Sequence, residues 1–294
     1  MNKIIVIVGP TGVGKTKLSI ELAKKYDGEI INADSTQVYK DLNIGTAKVT
    51  EEEKEGIKHH LLSFISPNDL YTVYDYQIDG RKAIDDILKR NKTVIIVGGS
   101  GLYVKVLLYD YNFKEEDKRI SYEMYTIEDL YNKLKEIDPN TDISKNNRQR
   151  IERALTFYSE NGFPISMKDG RDKLLYDCKI IGLTADRDKL YNRIRRKTEI
   201  MFENGLLKEV KELYDNGING QIVHTAIGYK ELYDYFDKKI SLEEAISIIK
   251  SNSTSYAKRQ FTWFNNQMNV KWFNVDFDNF DKTIESVKEY LKEE

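Results

Sequence analysis

The stretch GPTGVGKT at residues 9–16 constrains the fold more than any other part of this 294-residue chain. It fits the pattern G-x-x-x-x-G-K-[ST], it follows the apolar run Ile4–Val8, and a helical pattern opens near Lys15. A strand, a glycine-rich turn and a helix in this order point backbone N–H groups into one hollow, where the helix dipole and the lysine add positive charge. The sequence therefore predicts a phosphate-binding loop. We expect a diphosphate or a nucleotide to be bound by Gly9, Pro10, Thr11, Gly12, Val13, Gly14, Lys15 and Thr16, and the Thr16 hydroxyl also suits a Mg²⁺ ion.

Strand and helix patterns alternate along most of the chain. Short apolar runs predict strands, and longer amphipathic runs predict helices. Such alternation is typical of a parallel sheet covered by helices on both faces, so the predicted fold class is α/β, with a sheet like that of P-loop NTPases. The predicted strands are Ile4–Val8, Glu29–Asn32, Thr93–Val97, Lys179–Leu183 and Val270–Val275. The predicted helices are Lys15–Tyr26, Val73–Arg90, Ile127–Ile137, Asn147–Tyr158, Arg187–Asn204, Leu206–Asn216 and Leu242–Phe264.

One region does not follow this alternation. Residues 110–147 are strongly charged and lack a clear strand pattern, and an amphipathic helix follows them. A chain of 294 residues also exceeds a typical single domain. We therefore predict a catalytic core formed by residues 1–110 and 176–294, with a mostly helical insertion lobe at residues 111–175.

Composition excludes several classes of site. The single cysteine, Cys178, rules out an internal disulfide framework and a cysteine-based zinc site, and its place beside an apolar run predicts a buried thiol. His59 and His60 are adjacent, and on a strand they would point to opposite faces, so a structural role is favoured over metal binding. No segment has the apolar length that crosses a bilayer, so we expect a cytoplasmic protein with no membrane association.

Polar side chains follow two of the predicted strands. Asp34, Ser35, Thr36 and Gln37 come after the second strand, and Ser100 lies in a Gly-Gly-Ser-Gly turn after the third. Ligands of parallel α/β sheets bind beyond the carboxyl ends of the strands, so we expect both clusters to face the phosphate loop across one cleft. Asp34 could hold Mg²⁺ or act as a base, and the alternative is that it caps the following turn.

Local charge carries more information than the net charge of −2. Residues 145–153 hold four Lys or Arg, and residues 186–197 hold six, against two Asp. Either segment could form a solvated helix face or contact nucleic acid, and the pattern alone does not decide between them. The run YAKRQFTWF at 256–264 mixes bases and aromatic residues at helical spacing, which favours core packing with solvated bases.

Several of these segments together resemble the bacterial tRNA dimethylallyltransferase family. The resemblance runs in order over nearly the whole chain, and its most specific parts are IGTAK, AIGYKEL and YAKRQFTWF. The stretches that carry it are GPTGVGKT at 9–16, NADSTQVYKDLNIGTAK at 32–48, HHLL at 59–62, VGGSGLYVKVLL at 97–108, QRIERAL at 149–155, GLLKEV at 205–210, AIGYKEL at 226–232 and YAKRQFTWF at 256–264.

The resemblance implies transfer of a dimethylallyl group from dimethylallyl diphosphate to N6 of adenosine 37, beside the anticodon of tRNA. The diphosphate and Mg²⁺ would lie in the phosphate loop, with Thr16 as a magnesium ligand. Asp34 would be the general base, and Ser100 stands where the family usually has threonine, with the hydroxyl retained. The resemblance further implies that tRNA is contacted by Asp34, Ser35, Thr36, Gln37, Ser100, Gln149, Arg150, Ile151, Glu152 and Arg153.

Other function classes remain open on the sequence alone. A small-molecule P-loop kinase would bind ATP in the same hollow, but it would not need AIGYKEL or YAKRQFTWF. An adenylate isopentenyltransferase has the same chemistry with a free nucleotide as acceptor, and the basic helical segments favour tRNA instead. A non-catalytic RNA-binding protein would not need both Asp34 and Ser100. We expect the enzyme to act as a monomer.

Overall fold

A six-stranded parallel sheet forms the centre of the computed structural model, which describes residues 4–111, 121–167 and 173–292. Its strand order is β3-β2-β4-β1-β5-β6, and every neighbouring pair is parallel. This sheet confirms the predicted fold class. The strands are β1 (Ile4–Val8), β2 (Gly28–Asn32), β3 (His59–His60), β4 (Thr93–Gly98), β5 (Cys178–Thr184) and β6 (Lys271–Asn274).

Strand β1 lies at the middle of this sheet. It pairs with β4 on one side and with β5 on the other, and all five of its residues are buried. Apolar side chains on both faces are what a strand covered on both sides requires. The carboxyl end of β1, where the phosphate loop begins, is therefore held between the ends of two neighbouring strands.

Two compact units make up the chain. The first comprises Met1–Tyr111 and Leu174–Glu294, and the second is Asn112–Lys173. The first unit holds the whole sheet. Its helices are α1 (Lys15–Lys25), α2 (Glu51–Lys54), α3 (Val73–Lys89), α4 (Gly101–Leu108), α7 (Arg187–Glu203), α8 (Leu206–Asp215), α9 (Tyr229–Phe236), α10 (Leu242–Gln267) and α11 (Phe280–Lys292).

The second unit is helical within its described residues. It contains α5 (Ile127–Ile137), α6 (Arg148–Asn161) and a short 3₁₀ helix, Ile165–Met167. A small apolar core joins α5 to α6, and it consists of Leu130, Leu134, Ile151, Ala154 and Leu155. Both helices begin at a capping residue, Thr126 and Asn147, whose side-chain oxygen accepts a backbone N–H of the first turn.

The two adjacent histidines form β3 at the edge of the sheet. His60 Nε2 lies 2.7 Å from Glu29 Oε2, and His59 Nδ1 lies 2.9 Å from the Ile57 carbonyl oxygen. Glu29 is a buried carboxylate that Arg90 also contacts, and hydrogen bonding by Arg90, then by His60, lowers the pKa of Glu29 to about 2. His60 therefore helps to satisfy a buried charge.

Within the part of the chain that the structure describes, no helix is long and apolar enough to cross a membrane. Cys178 is the first residue of β5 and is half-buried, and this burial raises the pKa of its thiol to about 12.

Candidate active site

The phosphate loop leaves β1 and enters α1 through a turn that requires glycine. Gly9 has φ +139 and Gly14 has φ +101, both in the region that L side chains rarely adopt. A Cβ on Gly9 would lie 2.5 Å from the Leu183 carbonyl oxygen, and one on Gly14 would collide with the Phe280 ring. Backbone conformation and close packing therefore both explain the glycines of the motif.

Lys15 is the charged residue of this loop. Its Nζ donates to the carbonyl oxygens of Gly9, at 2.9 Å, and Pro10, at 2.8 Å, so the ammonium group lies against the loop. Burial lowers the pKa of Lys15 to about 8; the Asp34 carboxylate opposes this shift and the Lys197 ammonium adds to it. A bound diphosphate would supply opposite charge, which compensates the ammonium group for the hydration that burial removes.

Gln260 of α10 connects the phosphate loop to the second glycine-rich turn. Its Oε1 accepts the Thr11 backbone N–H at 2.9 Å, and its Nε2 donates to the Gly99 carbonyl oxygen at 3.0 Å. The side chain is buried, and a Cβ on Gly99 would collide with it. YAKRQFTWF therefore does more than pack the core, since it sets the spacing between two loops. The sequence assigned no role to Gln260, although the motif that contains it was identified.

Asp34 lies after the carboxyl end of β2 and is half-buried. Its Oδ1 accepts the Thr36 backbone N–H at 3.0 Å and the Thr36 hydroxyl at 2.7 Å. The turn-capping alternative is thus present in the structure. It engages only Oδ1, and among the described residues none donates to Oδ2. Capping therefore fixes the carboxyl group and leaves one oxygen available for a ligand.

Ser100 follows β4 and contacts the same segment. Its Oγ accepts the Ser35 backbone N–H at 3.0 Å and lies 3.1 Å from Ser35 Oγ, while its own backbone N–H donates to the Ala33 carbonyl oxygen at 3.2 Å. The segments that contain Asp34 and Ser100 are therefore brought together, as the strand-end pattern predicted. Ser35 lines the cleft described below, and Ser100 is linked to that cleft through Ser35.

A cleft of about 510 Å³ joins these elements within the first unit. One part of its lining is polar and includes Thr11 of the phosphate loop together with Asp34, Ser35 and Thr36. Positive charge comes from Lys197, Lys230 and Arg259. The apolar part of the lining consists of Ile194, Met201, Leu206, Ile222, Ile227 and Ile249. A ligand with an anionic end and a short hydrocarbon part matches this distribution of side chains.

Lys197 is a cation of the cleft that the sequence did not single out. It lies on α7 in the basic segment 186–197, and no carboxylate of the described ranges lies within ion-pair distance of it. Burial lowers the pKa of Lys197, and its charge acts on Lys15. A half-buried cation without a carboxylate within ion-pair distance is stabilised by a bound anion. The only sequence signal was the local density of bases.

The remaining predicted site residues lie in different environments. Thr16 is exposed at the start of α1, and the Gln37 Nε2 donates to the Thr46 carbonyl oxygen at 3.0 Å. In the second unit Gln149, Arg150 and Arg153 are exposed on α6, and Glu152 accepts from Arg148 Nε at 2.7 Å. Ile151 was predicted together with these residues, but its side chain is fully buried in the α5–α6 core and does not present a surface to RNA.

Known proteins resemble this chain over nearly its full length. Residues 37–267 match the family model described as IPP transferase. A tRNA dimethylallyltransferase of Anoxybacillus flavithermus is 47% identical over 300 residues, which is 99% of this chain and 96% of that protein. A tRNA dimethylallyltransferase of Bacillus mycoides is 46% identical over 286 residues, with 93% and 90% covered.

Solved structures show the same fold. A tRNA isopentenylpyrophosphate transferase of Bacillus halodurans is 41% identical with a TM-score of 0.77, covering 99% of this chain and 96% of that one. A Staphylococcus epidermidis tRNA isopentenylpyrophosphate transferase is 39% identical with a TM-score of 0.76 and 98% coverage of both chains. A eukaryotic dimethylallyltransferase acting on tRNA is 30% identical with a TM-score of 0.81, covering 98% of this chain and 78% of that one.

Proposed function

The chain belongs to the IPP transferase family, and we propose for it the activity of a tRNA dimethylallyltransferase. It transfers a dimethylallyl group to N6 of adenosine 37 of tRNA, giving N6-(dimethylallyl)adenosine. Its donor is dimethylallyl diphosphate, and diphosphate is released. One observation carries the proposal: a single cleft is lined by Thr11 of the phosphate loop and by Asp34. A donor whose diphosphate lies at the phosphate loop can therefore meet, in the same cleft, an acceptor amine that lies beside the Asp34 carboxylate.

The phosphate loop binds the diphosphate of the donor. Backbone N–H groups at the start of α1, the Lys15 ammonium and the Lys197 ammonium supply positive charge there. As the bond between the allyl C1 and the diphosphate oxygen breaks, negative charge accumulates on the leaving group. These fixed charges stabilise it, and such preorganised groups are usually the largest contribution to catalysis. The apolar side chains of the cleft accept the hydrocarbon part of the donor.

Asp34 acts on the acceptor. The exocyclic amine of adenine is a weak nucleophile whose N–H becomes acidic as the bond from N6 to the allyl C1 forms. Asp34 Oδ2 takes that proton, while Thr36 holds Oδ1 and keeps the carboxylate oriented. One C–N bond forms, one C–O bond breaks, and the proton moves from N6 to the carboxylate. The adenine must leave its stack in the anticodon loop to reach this group, so base flipping is part of the reaction.

Mg²⁺ fits the donors at this site. Magnesium in proteins is bound by one or two side-chain oxygens together with phosphate oxygens and water. Thr16 offers an exposed hydroxyl next to Lys15. This hydroxyl would hold the ion together with diphosphate oxygens and water, and the ion would neutralise part of the leaving-group charge.

The tRNA contacts divide between two sets of residues. Near the cleft we propose Asp34, Ser35 and Thr36, with Ser100 and Gln37 supporting that segment. On α6 we propose the exposed side chains of Gln149, Arg150 and Arg153, since phosphates are bound chiefly by exposed Arg and Lys. The enzyme is proposed to act as a monomer in the cytoplasm, on the tRNA found there.

An assay with two acceptors tests the proposal. The enzyme is incubated with Mg²⁺, with dimethylallyl diphosphate labelled in the allyl group, and with either tRNA or AMP. We expect label in tRNA, located on one adenosine after nuclease digestion, and none in AMP. Label in AMP alone would instead establish an adenylate isopentenyltransferase. Transfer of the γ-phosphate of ATP to a small acceptor, with no allyl transfer, would establish a kinase.

A further inference from the structure

Glu209 of α8 binds a loop that lines the cleft. The loop comprises residues 43–48 and carries the motif IGTAK at 44–48. Glu209 Oε2 accepts the backbone N–H groups of Asn43, at 3.1 Å, and Ile44, at 2.9 Å. Glu209 Oε1 accepts the Gly45 N–H at 3.2 Å and the Tyr229 hydroxyl at 2.6 Å. One carboxylate therefore satisfies three consecutive backbone donors and one buried phenol.

The loop depends on this carboxylate for its shape. Ala47 has φ +49, a left-handed conformation that a non-glycine residue keeps only where its surroundings hold it. A Cβ on Gly45 would lie 2.5 Å from the Tyr229 ring, so the loop backbone packs directly on that ring. The Glu209 carboxylate and the Tyr229 hydroxyl thus set the position of a backbone segment that has no regular secondary structure.

The same loop reaches the acceptor side of the cleft. Gly45, Thr46 and Ala47 line the cleft together with Asp34–Thr36. The Gln37 Nε2 donates to the Thr46 carbonyl oxygen at 3.0 Å, which connects the loop to the segment that contains Asp34. The phosphate loop is connected differently, through Gln260. A displacement of residues 43–48 would therefore disturb the wall beside the acceptor base and leave the diphosphate site in place.

We infer that Glu209 is a positioning residue for acceptor binding, which it supports through the loop 43–48 without touching either substrate. This inference rests on the proposed function, since it assigns the Asp34 side of the cleft to the adenine of tRNA. Removal of the Glu209 carboxylate leaves backbone N–H donors without their charged acceptor, which costs free energy at a half-buried position. The effect should appear in the binding of tRNA.

Steady-state kinetics of Glu209→Gln test the inference. We expect the KM for tRNA to rise about tenfold or more, because charged hydrogen bonds are lost. The KM for dimethylallyl diphosphate and kcat should change less than about twofold. Glu212→Gln is the matched control, because Glu212 lies on the same helix with an exposed side chain. The control should leave both KM values unchanged.

Three further results decide between this role and a merely structural one. Equal rises in both KM values, or an unchanged KM for tRNA in a folded Glu209→Gln variant, would overturn the inference. If Glu209→Gln does not fold by circular dichroism, Tyr229→Phe removes a single donor to the carboxylate. Tyr229→Phe should raise the KM for tRNA about twofold to threefold and leave the KM for dimethylallyl diphosphate unchanged. An unchanged KM for tRNA in this variant would overturn the inference.

The proposed function is tested separately. Wild-type enzyme that labels no tRNA in the same assay would refute the proposed function itself.

Discussion

The phosphate loop and the loop 43–48 line one cleft, but they are held in place by different means. Residues 9–16 lie between a central strand and a helix, and their shape follows from glycines at fixed spacing. Residues 43–48 have no flanking strand, and they depend on Glu209 and Tyr229, more than 160 and 180 positions along the chain respectively. A local motif thus shapes the phosphate loop, which we propose as the donor side of the cleft, whereas tertiary contacts shape residues 43–48 on the proposed acceptor side.

This difference separates two kinds of sequence signal. The phosphate loop can be identified from eight consecutive residues, because the strand, the turn and the helix are all local. The loop 43–48 carries IGTAK and depends on residues of GLLKEV and AIGYKEL, and nothing in any one of these stretches shows that they meet. The expected effects of substitution should divide in the same way, between the binding of the donor, the binding of the acceptor and the chemical step.

The largest effect is expected at the position where the two sides meet. Asp34→Ala should lower the single-turnover rate by about 10²–10⁴-fold, as loss of a general base usually does. The affinity for tRNA should stay within a few-fold, because the carboxylate acts on one N–H. Rapid-quench measurement with saturating substrates gives the rate, and filter binding gives the affinity. If the variant keeps more than a tenth of the wild-type rate, Asp34 is not the general base.

A smaller effect is expected on the donor side alone. Lys15→Ala removes a point charge from the phosphate loop and should raise the KM for dimethylallyl diphosphate about tenfold to a hundredfold. It should also slow the departure of diphosphate, and the KM for tRNA should change little. Initial rates at varied concentrations of each substrate measure both constants. An unchanged donor KM would show that Lys15 only stabilises the loop.

The pH dependence should report the same lysine. Burial lowers the pKa of Lys15 to about 8, so the free enzyme carries this charge below pH 8 and loses it above. The kcat/KM for dimethylallyl diphosphate follows the free enzyme and should therefore fall as pH rises, by about tenfold near pH 9. Lys15→Arg, whose charge persists at higher pH, should flatten this decline. If kcat/KM falls equally with pH in wild type and Lys15→Arg, the decline comes from the titration of another group, and Lys197 is the next candidate.

The smallest effect is expected on the helical lobe. Arg150 and Arg153 are exposed and three residues apart on α6, so they share a helix face. Replacing both with alanine should raise the KM for tRNA several-fold and leave the donor KM unchanged. If both contact phosphates, the slope of log affinity against log salt should decrease by about 1 to 2. An unchanged slope with a lower melting temperature would show that these arginines are structural.

The sequence predicted the elements whose signals are local. β1 has the predicted bounds, β2 and β4 differ from prediction by one residue at one end, and β5 and β6 differ by one residue at each end. α4 was not predicted individually, because Gly101–Leu108 is apolar at nearly every position, with Lys105 as the one charged residue, and shows no clear helical period. α11 was not predicted individually either, although Ile284, Val287 and Leu291 give it an amphipathic pattern that could have identified it.

The candidate site was predicted only as far as its local parts. Asp34 and Ser100 were found because strand ends meet at one edge of a sheet. Gln260 and Glu209 make contacts between distant segments, and Lys197 reaches the cleft from α7. Neither spacing nor charge density in one segment reveals these positions. Ile151 shows the opposite case, in which a matching motif included a core residue among surface ones, and helical periodicity explains its burial.

A crossed kinetic measurement tests most directly whether one cleft holds the donor at the phosphate loop and the acceptor beside Asp34 and residues 43–48. The KM for dimethylallyl diphosphate and the KM for tRNA are measured in wild type, Lys15→Ala and Glu209→Gln, with folding checked by circular dichroism. We expect Lys15→Ala to raise mainly the donor KM and Glu209→Gln to raise mainly the tRNA KM. If both variants raise both constants to the same extent, the division of the cleft into a donor side and an acceptor side is contradicted.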